Sequence, residues 1–175
     1  KKCDLTDFEN TRRSGIIAIR LKKGDALRWV KLSSGTDEII VTTTAGQGIR
    51  FKESQIRAMG RGAAGVHAIR LKKTDTVSSM DILYKERAKD ARLLSVMANG
   101  YGKQTKITEY KVQNRGGSGV KAAKITAKTG PMVSAHLVFD ETELFALSEK
   151  GQIIRTSLES VRIAGRATQG VRVMN

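Results

Sequence analysis

A glycine followed by a β-branched residue recurs along this chain at a nearly fixed interval. The pairs are Gly15-Ile16, Gly65-Val66, Gly119-Val120 and Gly170-Val171, and their glycines stand 50, 54 and 51 residues apart. The last three pairs close stretches that open on Gly46, Gly100 and Gly151, and each closing Val lies 20 positions after its opening Gly. The first pair belongs to a copy whose beginning is absent from the sequence. A period of this size marks an array in which each unit buries its apolar face against its neighbours, and strand-rich units of this length are propeller blades.

Each unit offers four strand-like runs. The first is apolar and ends near the opening Gly: Ile39–Val41, Leu93–Val96 and Leu144–Leu147. Small polar residues and Gly then signal a hairpin. The second run is short: Ile49–Phe51, Lys103–Thr105, Ile154–Thr156, with Lys1–Cys3 in the first copy. A loop follows, carrying one large apolar anchor: Phe8, Ile56, Tyr110 or Val161. The third run starts at Gly-Val or Gly-Ile, and Ile16–Leu21 and Val66–Leu71 are near copies; Val120–Ile125 alternates less cleanly. The fourth run follows a Gly-Asp, Thr-Asp or Gly-Pro turn: Leu27–Val30, Val77–Met80, Met132–Ala135. Four short strands per period predict an all-β, propeller-like array of four-stranded blades, with about three and a half repeats near 51 residues each. The repeats fall at about residues 1–37, 38–90, 91–142 and 143–175. No segment carries a helical apolar stripe. The charged stretch from Lys85 to Arg92 reads as a connection between blades.

Charge narrows the function. The formal net charge is +15 in 175 residues, with a sequence pI near 10.2. Folding gives no reason for such an excess, since self-repulsion weakens the compact state. It points to a polyanionic partner: DNA, RNA, an anionic membrane or an acidic protein. No apolar run approaches the roughly 20 residues of a membrane span, and no signal peptide is visible. The single Cys3 excludes an internal disulfide framework, and His67 and His136 are too far apart for a histidine metal site. There is no Walker A loop, nucleophile elbow or metal-ligand cluster. The carboxylates Asp140, Glu141 and Glu143 read as an acidic turn, not a catalytic pair.

The cations recur in register. Arg61, Arg115 and Arg166 stand four residues before their closing glycines, and Arg12 and Arg13 lie in the shorter first loop. Arg57, Lys111 and Arg162 directly follow the anchors, while Lys2, Arg50 and Arg155 sit on the second run, with Lys103 beside the variant Gln104. Arg20, Arg70, Lys121, Lys124 and Arg172 add charge along the third run. Cations repeated blade by blade form a stripe, and a curved basic stripe suits a phosphate backbone that bends to follow it. Gly-rich turns such as Gly60-Arg61-Gly62 and Arg115-Gly116-Gly117 let backbone amides approach phosphates. Taken singly, an Arg in such a loop is by default a solvated charge or a cap on turn carbonyls. The anchors read as core residues, and Trp29 and Tyr101 as packing rather than base-stacking groups.

The runs Gly48–Phe51, Ile56–Arg61, Gly65–Leu71, Asn99–Lys103, Glu109–Lys111, Arg115–Val120 and Gly165–Arg172 together resemble the C-terminal domain of DNA gyrase A, across essentially the whole chain. The resemblance implies that residues 1–175 are part of a β-pinwheel, a ring or spiral of four-stranded blades that exchange strands between neighbours. It implies double-stranded DNA bound through its phosphate backbone and wrapped on a basic rim, in support of negative supercoiling. The DNA-binding set it implies here is Lys2, Arg12, Arg13, Arg50, Arg57, Arg61, Lys103, Lys111, Arg115, Arg155, Arg162 and Arg166. It implies no catalytic residue, metal or cofactor in this part, and a bacterial, cytoplasmic, nucleoid-associated protein. The partners implied are the remainder of gyrase A and the whole of gyrase B.

Two departures stand out. The family's domain usually carries more blades, so an N-terminal blade is expected to be missing, and raw blade edges invite dimerisation. The family's box, Gln-Arg-Arg-Gly-Gly-Lys-Gly, has its nearest match in Gln113–Gly119, which lacks two of the basic residues. Two alternatives remain open: the equivalent C-terminal domain of topoisomerase IV, and a propeller scaffold for an acidic protein. The well-kept repeats favour the gyrase type; in-register charge with few aromatics disfavours the scaffold.

Overall fold

The computed structural model describes residues 1–174. These hold ten short strands and five single 3-10 turns, and no α-helix. No helix among the described residues is long and apolar enough to cross a membrane. The first sheet contains the hairpin β1 (Glu38–Thr43) and β2 (Gln47–Lys52), with β3 (Val77–Leu83) beside β1 and the two-residue β6 (Val120–Lys121) beside β2. The second sheet repeats this with β4 (Arg92–Met97), β5 (Tyr101–Lys106), β7 (Met132–Val138) and β10 (Val171–Arg172), in the order β10-β5-β4-β7. A third hairpin, β8 (Glu143–Leu147) and β9 (Ile153–Ser157), stands as a two-stranded sheet. All named pairings are antiparallel.

The fold class read from the sequence is therefore the one observed, but a repeat is not a blade. The third run of one repeat completes the sheet of the repeat before it: Val120 pairs with Gly48, and Val171 with Gly102. The periodic glycines make this crossing feasible. Gly46 turns the hairpin at φ +79°, and its carbonyl accepts from the N–H groups of both Ala122 and Ala123, at 2.7 and 3.1 Å. Gly100 does the same for Val173 and Met174, at 2.8 and 3.1 Å. Gly119 (φ +70°) lies flat on the Gly48 carbonyl, where a Cβ would overlap it. Only glycine combines a left-handed φ with so close a backbone approach.

Several predicted strands are absent. Ile16–Leu21, Val66–Leu71 and Leu27–Val30 form no ladder, and the Val120 run is a strand over two residues only. Their partners explain this. Val66 faces the short stub Lys1–Cys3, while the described residues hold no preceding repeat's second run for Ile16 and no first run beside Leu27. The Val66 segment is held instead by the next repeat's loop: Arg70 N–H donates to Gly117 O (2.8 Å) and Gly116 N–H to Ala68 O (2.6 Å). Lys85–Arg87 forms a 3-10 turn in the connection between β3 and β4.

The main core lies between the two complete sheets. Ile40 and Leu83 of the first meet Leu93, Met97, Met132 and Leu137 of the second, with Tyr110, Ala122 and Ala123 filling the joint. Burying each large apolar side chain contributes roughly 1.5–3 kcal/mol. Of the four anchors, Ile56, Tyr110 and Val161 are buried and Phe8 is half-buried. The edges of the sheets are joined by side chains: Ser79 Oγ donates to Ala135 O (2.6 Å), and Leu137 N–H to Asp81 Oδ2 (3.0 Å). Buried carboxylates pin the strand entries. Burial pushes Asp37 up, but N–H groups of Ser34 and Lys85 on its carboxylate win and hold it below the usual range.

Candidate nucleic-acid interface

Successive repeats meet through one joint made three times. The loop after each anchor lies parallel to the preceding second run, with bridges Lys2–Ala58, Arg50–Val112 and Gln104–Ile163. Side chains of that second run then grip the incoming 3-10 turn. Arg50 donates from Nη1 to Ile107 O and Tyr110 O, at 3.0 and 3.1 Å, while its Nε holds Glu38 Oε2 at 2.6 Å. One period later Gln104 Nε2 holds the equivalent carbonyls, Leu158 O and Val161 O, at 2.7 and 2.8 Å. At the first joint Lys2 pairs with the buried Glu53, at 3.3 Å. Arg50 and Gln104 satisfy turn carbonyls that would otherwise be buried without donors.

The residues expected to bind DNA therefore divide. Lys103 is a correction: it is fully buried, and its ammonium donates to Gly165 O (2.7 Å) and Arg166 O (2.5 Å). Burial pulls its pKa down to about 8. Lys1, the same position in the first copy, donates to Ala18, Gly60 and Arg61 carbonyls. Arg50 and Lys2 are half-buried parts of the joint and are likewise not free cations. Arg155 is exposed and paired with Glu143. Arg61, Arg115 and Arg166 are half-buried, and the last two reach the preceding repeat, at His67 O (3.2 Å) and Lys121 O (3.0 Å). Arg12, Arg13, Arg57, Lys111 and Arg162 are exposed, and none of the ion pairs among the described residues involves them.

Arg57, Lys111 and Arg162 thus share one environment. Each directly follows an anchor whose burial fixes the loop, so the cation that follows is carried on the surface at the same place in three successive repeats. Further exposed cations fall on the turns after the third run: Lys22 and Lys23, Lys72 and Lys73, and Lys128. The sequence signal for the first two pairs was available in the repeated Leu-Lys-Lys before a turn. An array of unpaired, solvated cations on a rigid scaffold attracts a polyanion without selecting a base sequence. Among the described residues no group of His, Cys, Asp or Glu is arranged to hold a metal ion.

These features define a propeller-type β array whose blades are completed by exchange between successive repeats and whose surface is basic in register. The sequence matches the family described as DNA gyrase C-terminal domain, beta-propeller, over residues 1–34, 37–83, 98–138 and 142–175, and the chain belongs to that family. It is 41% identical to the DNA gyrase A protein of Mycolicibacterium smegmatis over 100% of this chain and 20% of the relative. The figures for the DNA gyrase A protein of Salmonella typhimurium are 42% identity, 98% and 19%. The chain thus spans about a fifth of the length of these relatives. Among solved structures it resembles a DNA topoisomerase IV C-terminal domain (TM-score 0.90, 25% identity, 98% of this chain and 53% of that one). It also resembles a DNA gyrase A C-terminal domain (TM-score 0.84, 27% identity, 97% and 55%).

Proposed function

We propose that this chain is a non-catalytic module that binds and bends double-stranded DNA within a type IIA topoisomerase of the gyrase type. The observation that carries the reading is the exposure of Arg57, Lys111 and Arg162 at one repeated position, without carboxylate partners among the described residues. Family membership supports it. Phosphate contacts supply the affinity, and because the cations step from repeat to repeat, the duplex must curve to meet them all. Cleavage and ATP hydrolysis belong to other parts of the full enzyme; the rest of gyrase A, together with gyrase B, supplies the partners of this module. A bacterial cytoplasmic, nucleoid-associated setting follows from the same reading. A topoisomerase IV module is the second reading, favoured by the higher structural likeness to that enzyme's domain.

Binding to a duplex of about 40 base pairs across a salt series tests the proposal, since log affinity falls linearly with log salt at about −0.9 per phosphate neutralised. Reversing Arg57, Lys111 and Arg162 to Glu should abolish binding and leave the fold intact. Ligation of nicked circles in the presence of the protein then separates the readings. A shift in linking number supports the gyrase type, and binding without a shift supports the topoisomerase IV type. No duplex binding at about 50 mM salt rejects both.

A further inference from the structure

Arg115 and Arg166 each reach back from a loop onto the preceding repeat, with both the backbone N–H and the guanidinium. Arg115 donates its backbone N–H to Gln55 Oε1 (2.8 Å), its Nε to Gln55 O (3.0 Å) and its Nη1 to His67 O (3.2 Å). Arg166 repeats the pattern one period on: its backbone N–H donates to Glu109 Oε2 (3.0 Å) and its Nη1 to Lys121 O (3.0 Å). Gln55 and Glu109 each precede an anchor, and His67 and Lys121 each stand two residues after a closing Gly. Both arginines therefore hold the preceding repeat at the same two points. Arg50, by contrast, is engaged from both Nε and Nη2 by Glu38 and from Nη1 by two carbonyls.

These bonds leave the Nη2 groups of Arg115 and Arg166 without a partner among the described residues, and neither guanidinium forms an ion pair there. Each stands four residues after an exposed cation, Lys111 or Arg162. A planar guanidinium can hold a carbonyl with one N–H and a phosphate with another; an ammonium has the charge but not the fixed geometry.

We propose that Arg115 and Arg166 are positioning residues that link phosphate binding to the angle between successive repeats, so that the duplex bends along a path the joints set. The proposal rests on the DNA-binding reading. A phosphate seated on Nη2 is registered, through the same guanidinium, against the backbone of the neighbouring repeat.

The test uses the whole chain with a duplex of about 150 base pairs, one persistence length, carrying cohesive ends so that the rate of ring closure by ligation reads the bend. Binding and bend are measured for the wild type, for the double variant Arg115→Lys/Arg166→Lys, and for Gln55→Ala, which frees the Arg115 loop from the side chain that accepts its N–H and donates to Gln113 O and Asn114 Oδ1, without changing any charge. Circular dichroism and thermal melting establish that each is folded. The double variant is expected to keep its salt slope to within about one unit and to lose most of the bend. Gln55→Ala should lose part of the bend at an unchanged slope, which keeps the test open should the double variant unfold. A wild-type bend in either folded variant overturns the proposal, as does a wild type that binds without bending. Failure of the DNA-binding reading is distinct: the wild type then does not bind at all at about 50 mM salt.

Discussion

The two complete sheets and the β8–β9 hairpin are written in the same repeat, yet they sit in different environments. Ile40 and Leu94 occupy equivalent strand positions and are 2% and 4% exposed; Phe145, the next equivalent, is 64% exposed. The residue types match, so the side chain does not decide its own burial. What differs is the neighbour. Ile40 and Leu94 lie in sheets flanked on both sides by β3 and β6 or by β7 and β10, whereas β8 and β9 have no third strand among the described residues. The other end shows the same thing: Val30 is 76% exposed, while the equivalent Met80 lies within β3 and is half-buried. Burial here is a property of pairs of repeats, the quasi-one-dimensional stability expected of arrays.

The sharpest way to break that comparison is to truncate one side chain in each region. Tyr110→Ala opens the joint between complete sheets and should cost about 3–5 kcal/mol, as for other large buried aromatics. Phe145→Ala should change stability by less than about 0.5 kcal/mol. Urea unfolding of both measures the contrast, and an equal cost would mean that something covers the hairpin in solution. The glycines give the next largest effect. Gly119→Ala drives a Cβ into the Gly48 carbonyl at φ +70°, and should cost about 2–3 kcal/mol and detach β6. Gly151→Ala, at φ +80° with no atom within 4 Å, should cost only about 1 kcal/mol of left-handed strain. Equal losses would show that conformation alone, and not the close approach, keeps Gly119.

How far the sequence carried depends on the kind of interaction. Hairpins were legible from local pattern: Ile39–Val41, Leu93–Val96 and Leu144–Leu147 precede a Gly turn, Ile49–Phe51, Lys103–Thr105 and Ile154–Thr156 follow it, and all six lie in strands. The anchors Ile56, Tyr110 and Val161 were legible as core for the same reason. Strand exchange was implied by family resemblance alone. Nothing in Val120–Lys121 says whether its partner is β5 or β2, because both offer a Gly at the contact. Among the cations, spacing picked out repeated positions but not which way each side chain turns. Lys103 and Lys111 are both lysines at repeat positions, yet one lies under the Gly165–Arg166 backbone and the other in water. That distinction depends on a loop about sixty residues away.

A smaller effect separates two identical ion pairs. Arg50–Glu38 and Arg155–Glu143 join equivalent positions across equivalent hairpins, both at 2.5 Å. Only Arg50 also caps the next repeat's turn, and its side chain is 13% exposed against 64% for Arg155. Arg50→Ala should cost about 2 kcal/mol, because it strands two carbonyls and a half-buried carboxylate. Arg155→Ala, an exposed pair, should cost under about 1 kcal/mol. Thermal melting of the two variants tests whether the joint, and not the ion pair, carries the stabilisation.

The buried Lys103 provides the finest comparison, because its position is filled by Ile49 and Ile154 in the neighbouring repeats. Burial holds its folded pKa near 8, below the ordinary value of 10.5, so between these values the unfolded chain binds more protons than the folded one. Folding at neutral pH therefore works against a charged ammonium in a dry site, only partly offset by the Gly165 and Arg166 carbonyls. Raising the pH through 8 relieves that cost, and the neutral amine still donates to the same oxygens. Lys103→Met removes the titration and the donor together. The stability of the wild type relative to Lys103→Met should rise by on the order of 1 kcal/mol between about pH 7 and pH 9. Paired urea titrations at the two pH values isolate this difference, since every other ionisable group is common to both proteins. A difference that stays flat across that interval would place the ammonium in water, and would return Lys103 to the set of cations free to meet phosphate.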